Sequence, residues 1–514
     1  MNEKRGFFTL IFLVIGQYTC ESLLINGFVN YLLWVSLFFA IIWVVFALLL
    51  SQNKGLLKEG VLFFLLGILS TYIILPTPLS TYSTNNINRA TGGSFLVKIV
   101  EEPRLFAVGG VGFIGKILSN IEGNRENLLS GSLVMLKVID LPWRNTRSIY
   151  KGSIVAIKAK LKPIIISHNP FSRERNLLRR GIIATGKALY VSETLIDRTT
   201  VFDRYRKKFL LNLEEYLGTG RNAALLSSLC FGARDHVSQE LEKAFQRSGL
   251  AHLLVLSGCH LVAIFFLFRI FFQGIIYHLI KIGILTESCR LPEVFSLIAI
   301  WLFALICGLQ NATLRAVISL SLLVALRFFE RGGSYARQVN FSLILLLLLI
   351  PGAIFSASTQ LTYAALYAIA FNIENVKRES FFDKFKKYIL IMVSISLLTS
   401  VISLFWFKTL SLFGFFLNPL LAPVFSLACI QLGLIGSLIG LFSKTLAEIV
   451  FKIITPLLGG LSDTVIFFSN FQLCAIQKIS MSLSAVLALV LLVIWFWLLP
   501  NRKLERSAVF CSLK

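Results

Sequence analysis

Acidic residues are scarce in this 514-residue chain: 26 Asp and Glu stand against 50 Lys and Arg, for a formal net charge of +24. Histidine is scarcer still, with five in all. The eight cysteines (Cys20, Cys230, Cys259, Cys289, Cys307, Cys429, Cys474 and Cys511) contain no CxxC pair, so neither a disulfide framework nor a zinc motif is indicated. Positions 77–200 lack cysteine altogether, and a domain there is expected to hold without a disulfide. A Walker loop, a glycine-rich dinucleotide fingerprint and a paired-carboxylate motif are also missing. Their absence argues against ATP hydrolysis and leaves any drive to a separate motor or to binding of whatever is moved.

What remains is apolar: 56% of residues are hydrophobic, 15% are charged, and mean hydropathy is +0.78. Runs of about 20 apolar residues match a hydrocarbon core of roughly 30 Å. The chain therefore reads as a polytopic α-helical membrane protein with about 10–12 transmembrane helices. The expected spans are 7–25, 29–50, 57–75, 251–272, 293–309, 314–329, 339–355, 357–373, 388–406, 412–441, 446–468 and 481–499. The first run has no small-residue cleavage site after it and reads as a retained helix. Basic residues in short loops (Lys4, Arg5, Lys54, Lys58, Arg327, Arg331, Arg337, Lys384) fall on one side if the N-terminus is cytoplasmic. The segment after the third span then faces outward. The same count puts the tail, 501–514, inside, unless a span within 412–441 is re-entrant.

Between 77 and 200 the pattern changes to short alternating runs. Segments 94–100, 113–118, 132–139, 154–161 and 181–190 read as strands, with Gly131 and Gly152 at turns. Five short strands suit a small barrel such as an OB-fold, and equally another small β domain. Here 18 Lys and Arg face 8 Asp and Glu, an excess that favours contact with a polyanion or with anionic lipid headgroups. For nucleic acid, Lys158 and Lys160 would meet the backbone, while Phe113, Trp143 and Tyr150 would stack bases. Residues 201–248 read as amphipathic surface helices that cap the bundle or lie along the membrane.

The most informative stretch is 249–262, where His252, Ser257, Gly258 and His260 interrupt apolar sequence. Titratable groups in hydrocarbon normally face a protein interior or a water-filled path. The Ser257-Gly258 pair breaks the helical pattern, and irregular backbone at membrane depth needs a cavity or burial. On an unbroken helix, Ser257 would lie about 60° and His252 about 80° from His260. A two-histidine metal site lacks further ligands, and a Ser257–His260 hydrolytic pair lacks an orienting carboxylate. Arg315, near the outer end of its span, is either a snorkelling cation or a foothold for phosphate. Gln360 can glue helices or line a pore. Pro419 and Pro423 are expected to break a helix, with Asn418 satisfying the freed backbone groups.

The run Gly232-Ala-Arg-Asp235, followed by 241–260 with its Gly249, His252, Ser257, Gly258 and His260, closely resembles the ComEC/Rec2 competence family. Ala233 replaces that family's acidic residue, and Cys259 stands where leucine is preferred. Arg315, Gln360 and the Asn418-Pro419 element are similar to further motifs of the family, and Asn169-Pro-Phe171 matches its OB-like domain in part. The resemblance implies a cell-membrane channel that carries single-stranded DNA inward during natural transformation, with an extracytoplasmic OB-like barrel after the third helix. The expected units are 1–76 N-terminal helices, 77–200 OB-like domain, 201–248 surface helices, 249–500 channel domain and 501–514 tail. It also implies membrane lipid, a DNA receptor, and a cytoplasmic motor or ssDNA-binding protein as partners, admits a homo-oligomer, and calls for no cofactor. Longer relatives carry a metallo-β-lactamase-like domain with an H-x-H-x-D-H motif. None of the five histidines forms it, so the expectation is a short form without nuclease or other enzyme activity. The competing expectation is a transporter or intramembrane enzyme of another family built on His252–His260.

Overall fold

The computed structural model describes residues 3–25, 62–71 and 91–498, apart from short intervals that include 122–130, 139–150, 165–168, 285–289, 330–334 and 373–379. The expected span 29–50, the tail 501–514, and the candidates Trp143, Tyr150 and Ser257 lie outside the described residues.

After helix α1 (Glu3–Ile25), five principal strands form a barrel: β1 (Thr91–Ile99), β2 (Val111–Asn120), β3 (Leu133–Val138), β4 (Ser153–Pro163) and β5 (Ile182–Val191). Neighbours run β1-β2-β3-β5-β4, and β4 pairs back onto β1. Only β3 and β5 are parallel. This is the closed five-strand order of an OB-type barrel. Alternation drives it: Val155, Ile157, Ala159 and Leu161 of β4 point inward beside Val134, Leu136 and Val138 of β3, while Lys158 and Lys160 point out. Closure needs Gly115, because a Cβ there would sit 2.2 Å from Val97 Cγ1.

The barrel docks on the first helix. Helix α2 (Arg173–Arg179), between β4 and β5, is capped by Ser172, which accepts from Arg175 N. Its Leu177 and Leu178 pack with Cys20 of α1 and with Ile114 of β2. Glu21 of α1, 2% exposed, receives Arg179 at 3.0 Å and lies 3.4 Å from Arg175. Burial lowers the Arg179 pKa, and the Glu21 carboxylate opposes that shift.

Helices α3 (Val201–Leu217), α4 (Arg221–Phe231) and α5 (Gln239–Arg247) lead into the bundle. The Thr200–Asp203 capping box starts α3, and Ser238 caps α5. The reading of 201–248 as surface helices fails for α4. Every residue from Ala223 to Phe231 is buried, because apolar and small side chains surround its whole circumference.

There follow α6 (Gly258–Lys281), α7 (Leu291–Ile306), α8 (Asn311–Phe329), α9 (Tyr335–Leu349), α10 (Ala357–Asn372), α11 (Phe381–Phe407), α12 (Gly414–Pro423), α13 (Ile430–Ile439), α14 (Lys444–Ser469) and α15 (Met481–Leu498). Four described helical runs are long and apolar enough to cross a membrane: His260–Lys281, Phe382–Phe407, Gly414–Ile439 and Lys444–Ser469. Five further apolar helices are shorter. One core joins α3 to α8 with α12 to α14, and a second joins α1, α9 and α10. The expected break at Pro419 and Pro423 does not occur. α12 passes through a π turn at Val424–Cys429 directly into α13.

Candidate functional site

The signature segment is pinned at several points before α6 begins. Gly249 has φ +74°, and a Cβ there would come within 2.9 Å of Ser411 Oγ. Ser411 Oγ donates to the Arg247 carbonyl at 2.9 Å. Residues Ala251–Leu254 form a 3-10 turn, and Ser228 Oγ donates to the Leu254 carbonyl at 2.7 Å. The chain then leaves helical geometry and re-enters it at Gly258. His252 and His260 therefore do not share one unbroken helix, and the angular relationship expected from continuity does not hold.

The interruption separates two environments. His260, in the first turn of α6, is fully buried. His252, in the 3-10 turn ahead of the interruption, is exposed. Gly258 faces α8 with room to spare, since a Cβ built on it would lie 4.0 Å from Ala316 Cβ, an ordinary contact.

Arg315 precedes Ala316 but does not share its direction: successive residues of a helix point about 100° apart, and the Arg315 side chain turns to the Ser356 side of α8. Arg315 is half-buried, and its Nη1 donates to Ser356 Oγ at 3.1 Å. Ser356 Oγ in turn bonds the Ala353 carbonyl at 2.8 Å and meets Thr359 Oγ1 at 2.9 Å. Arg180, beside the barrel, is a like-charged neighbour of Arg315. Phe171 reaches the same region. The Phe171 ring stands edge-on to Phe355, Phe405 and Trp406.

Other sequence candidates are placed differently. Gln360 spans two partners, with Nε2 donating to the Ile354 carbonyl at 2.9 Å and Oε1 accepting from Trp406 Nε1 at 2.8 Å. Of its two readings, this geometry is helix glue. Asn418 is not the donor found at the Pro419 carbonyl, and its own acceptor Oδ1 is buried with no hydrogen bond among the described residues. The Pro419 carbonyl is met instead by Tyr388 Oη at 2.6 Å. Phe113 is 2% exposed in the barrel core, so its ring offers no face to a base. Lys158 and Lys160 are exposed, as expected.

Sequence reasoning missed a buried polar knot. Tyr363 Oη of α10 lies 3.2 Å from Ser319 Oγ of α8 and 2.9 Å from Ser342 Oγ of α9. One turn on, Tyr367 bonds Asn340 of α9. The available signal was the spacing of Thr359, Tyr363 and Tyr367, which places all three on one face of a helix. These bonds tie three apolar helices together below Arg315.

A family model described as "Competence protein" matches residues 229–503, which include the 249–262 segment, Arg315, Gln360 and the α12 prolines. ComE operon protein 3 of Bacillus subtilis (strain 168) is 23% identical over 250 residues, 48% of this chain. That stretch spans only 30% of the relative's own length. No solved structure matches. With more than half of its length matched by the family model, and its signature residues inside the matched part, the chain belongs to the competence protein family of the ComEC/Rec2 type.

Proposed function

We propose that the protein passes single-stranded DNA across the cytoplasmic membrane during natural transformation. In this reading His252, Ser257, Gly258, His260 and Arg315 line or brace one polar passage. The observation that carries it is the placement of Gly258, in the interrupted segment, beside Ala316 of α8, the helix that bears Arg315. Polar groups are costly against lipid and are concentrated at this crossing. A DNA conduit must offer donors to phosphates without holding them so tightly that the strand stalls. Weakly charged histidines with one arginine suit that better than a row of lysines. The barrel lies on the outer side, the N-terminus is cytoplasmic, and no cofactor or bond-breaking step is needed. A DNA receptor hands over the strand, and a cytoplasmic motor or ssDNA-binding protein draws it in.

The test is genetic. A clean deletion in a competent host should abolish transformation while labelled DNA still accumulates in a nuclease-resistant state outside the cytoplasm. Normal transformation by that strain would refute the reading.

A further inference from the structure

OB-type barrels commonly take oligonucleotides on the face of their second and third strands and on the loop between the fourth and fifth. Both elements are occupied here. The outward side chains Ile114 of β2 and Leu133 and Met135 of β3 pack with Cys20, Phe12 and Ile15 of α1. The β4–β5 connection carries α2, whose Arg175 and Arg179 are held by Glu21 of α1. The docking that fixes the barrel to the first helix covers its customary ligand face.

The open face lies on β4 and β5. Lys158, Lys160 and Lys162 alternate outward along β4, and all three are exposed. In the register, Lys160 faces Lys187 of β5 and Lys158 faces Tyr190, which is 64% exposed. On the other side, Lys160 faces Gly92 and Lys158 faces Ser94 of β1. A Cβ at Gly92 would meet nothing within 4 Å, so the floor beside the lysines is open. Lys187 also faces Lys137 of β3. Like charges directly opposite destabilise a sheet. Among the described residues, Lys158, Lys160, Lys162 and Lys187 have no carboxylate partner to offset this.

We infer that the β4–β5 face, rather than the β2–β3 face, is where the barrel binds single-stranded DNA. Phosphates track Lys158, Lys160, Lys162 and Lys187, and an unpaired base stacks on Tyr190. Alternate residues of a strand repeat every 6.7 Å or so, roughly one nucleotide of an extended strand. An exposed ring amid cations is the combination that binds single strands without sequence preference. An anionic membrane surface would also meet the lysines and seat a tyrosine at headgroup level, so the test includes one. The inference rests on the DNA-uptake reading and adds to it the face that first receives the strand.

Full-length protein in nanodiscs of neutral phosphatidylcholine would be titrated with a fluorescent thymidine oligonucleotide across a salt series. Replacing Lys158, Lys160 and Lys187 together by alanine should lower the slope of log affinity against log salt by about 2, from about 0.7 per phosphate contact. The corresponding triple arginine variant should keep the slope. Tyr190→Ala should weaken binding about ten-fold at every salt concentration, and Tyr190→Phe should not. Lys116→Ala, on β2, should change little. If the wild type binds and the lysine and tyrosine variants bind equally well, the face is wrong while DNA uptake stands. Absence of oligonucleotide binding by the wild type also overturns the inference. So does loss of binding to anionic phosphatidylglycerol vesicles with oligonucleotide affinity intact, which would make this a lipid contact. Normal transformation by the deletion strain refutes the uptake reading separately.

Discussion

Tyr388 Oη donates to the carbonyl of Pro419 at 2.6 Å, across the contact between α11 and α12. Pro423 stands four residues on and has no N–H, so this carbonyl loses its helical donor. The tyrosine supplies the missing bond from a neighbouring helix, and α12 runs on instead of breaking.

Tyr388→Phe should therefore destabilise the protein by about 1 kcal/mol, the usual worth of an interhelical hydrogen bond in a membrane. In a Pro423→Ala background the restored N–H can serve the carbonyl, and the same change should cost roughly nothing. Thermal unfolding of the four proteins in detergent reads the cycle. Equal costs in both backgrounds would show that the hydroxyl does not replace the proline's missing donor.

Glu21 pairs with both Arg175 and Arg179, and all three are nearly out of solvent. Removing one partner of a buried pair leaves charge uncompensated, at about 3–5 kcal/mol. Glu21→Gln should loosen the barrel from α1, and limited proteolysis should then cut near α2 faster than in the wild type. Unchanged cleavage would place the main docking energy in the apolar contacts around Ile114.

The five strands were legible because a half-buried strand alternates. Ile154 to Leu161 shows its lysines and its core residues in turn. Facing was not legible where both faces are apolar. In β2, Phe113 turns into the barrel while Ile114 turns toward α1, and each would read equally well either way. The 249–262 segment stood out through polarity in apolar sequence, and the structure sets its Gly258 beside α8, the helix of Arg315. That placement brings Gly258 beside Ala316, residues far apart in the chain. The Ser319–Tyr363–Ser342 knot was hidden for the same reason. Polarity marks a residue for pairing but does not name its partner, as Gln360 and Trp406 also show.

At Gly258 the space available to a side chain is small but real. A Cβ would sit 4.0 Å from Ala316 Cβ, an ordinary contact. Gly258→Ala should therefore support near-normal transformation. Gly258→Leu should push α6 away from α8 and reduce transformation at least ten-fold, through overpacking of about 1–3 kcal/mol at the crossing. Membrane abundance should be measured alongside. Full transformation by the leucine variant would remove this crossing from the passage.

The arginine and the two histidines make separable predictions about access. His252 is exposed and His260 fully buried, so cysteines at these positions should behave differently. In a background stripped of native cysteines, His252→Cys should react readily with a water-soluble thiol reagent and His260→Cys slowly. Arg315→Lys keeps a cation near Ser356 but loses the planar fork, whereas Arg315→Ala loses both. Transformation should fall in the order wild type, Arg315→Lys, Arg315→Ala, with the alanine variant still inserted in the membrane. His260→Ala should impair uptake through lost packing and polarity at the α6–α8 crossing. If His252→Cys proves inert and the Arg315 and His260 variants transform normally, DNA takes another route and the segment serves only to pack the bundle.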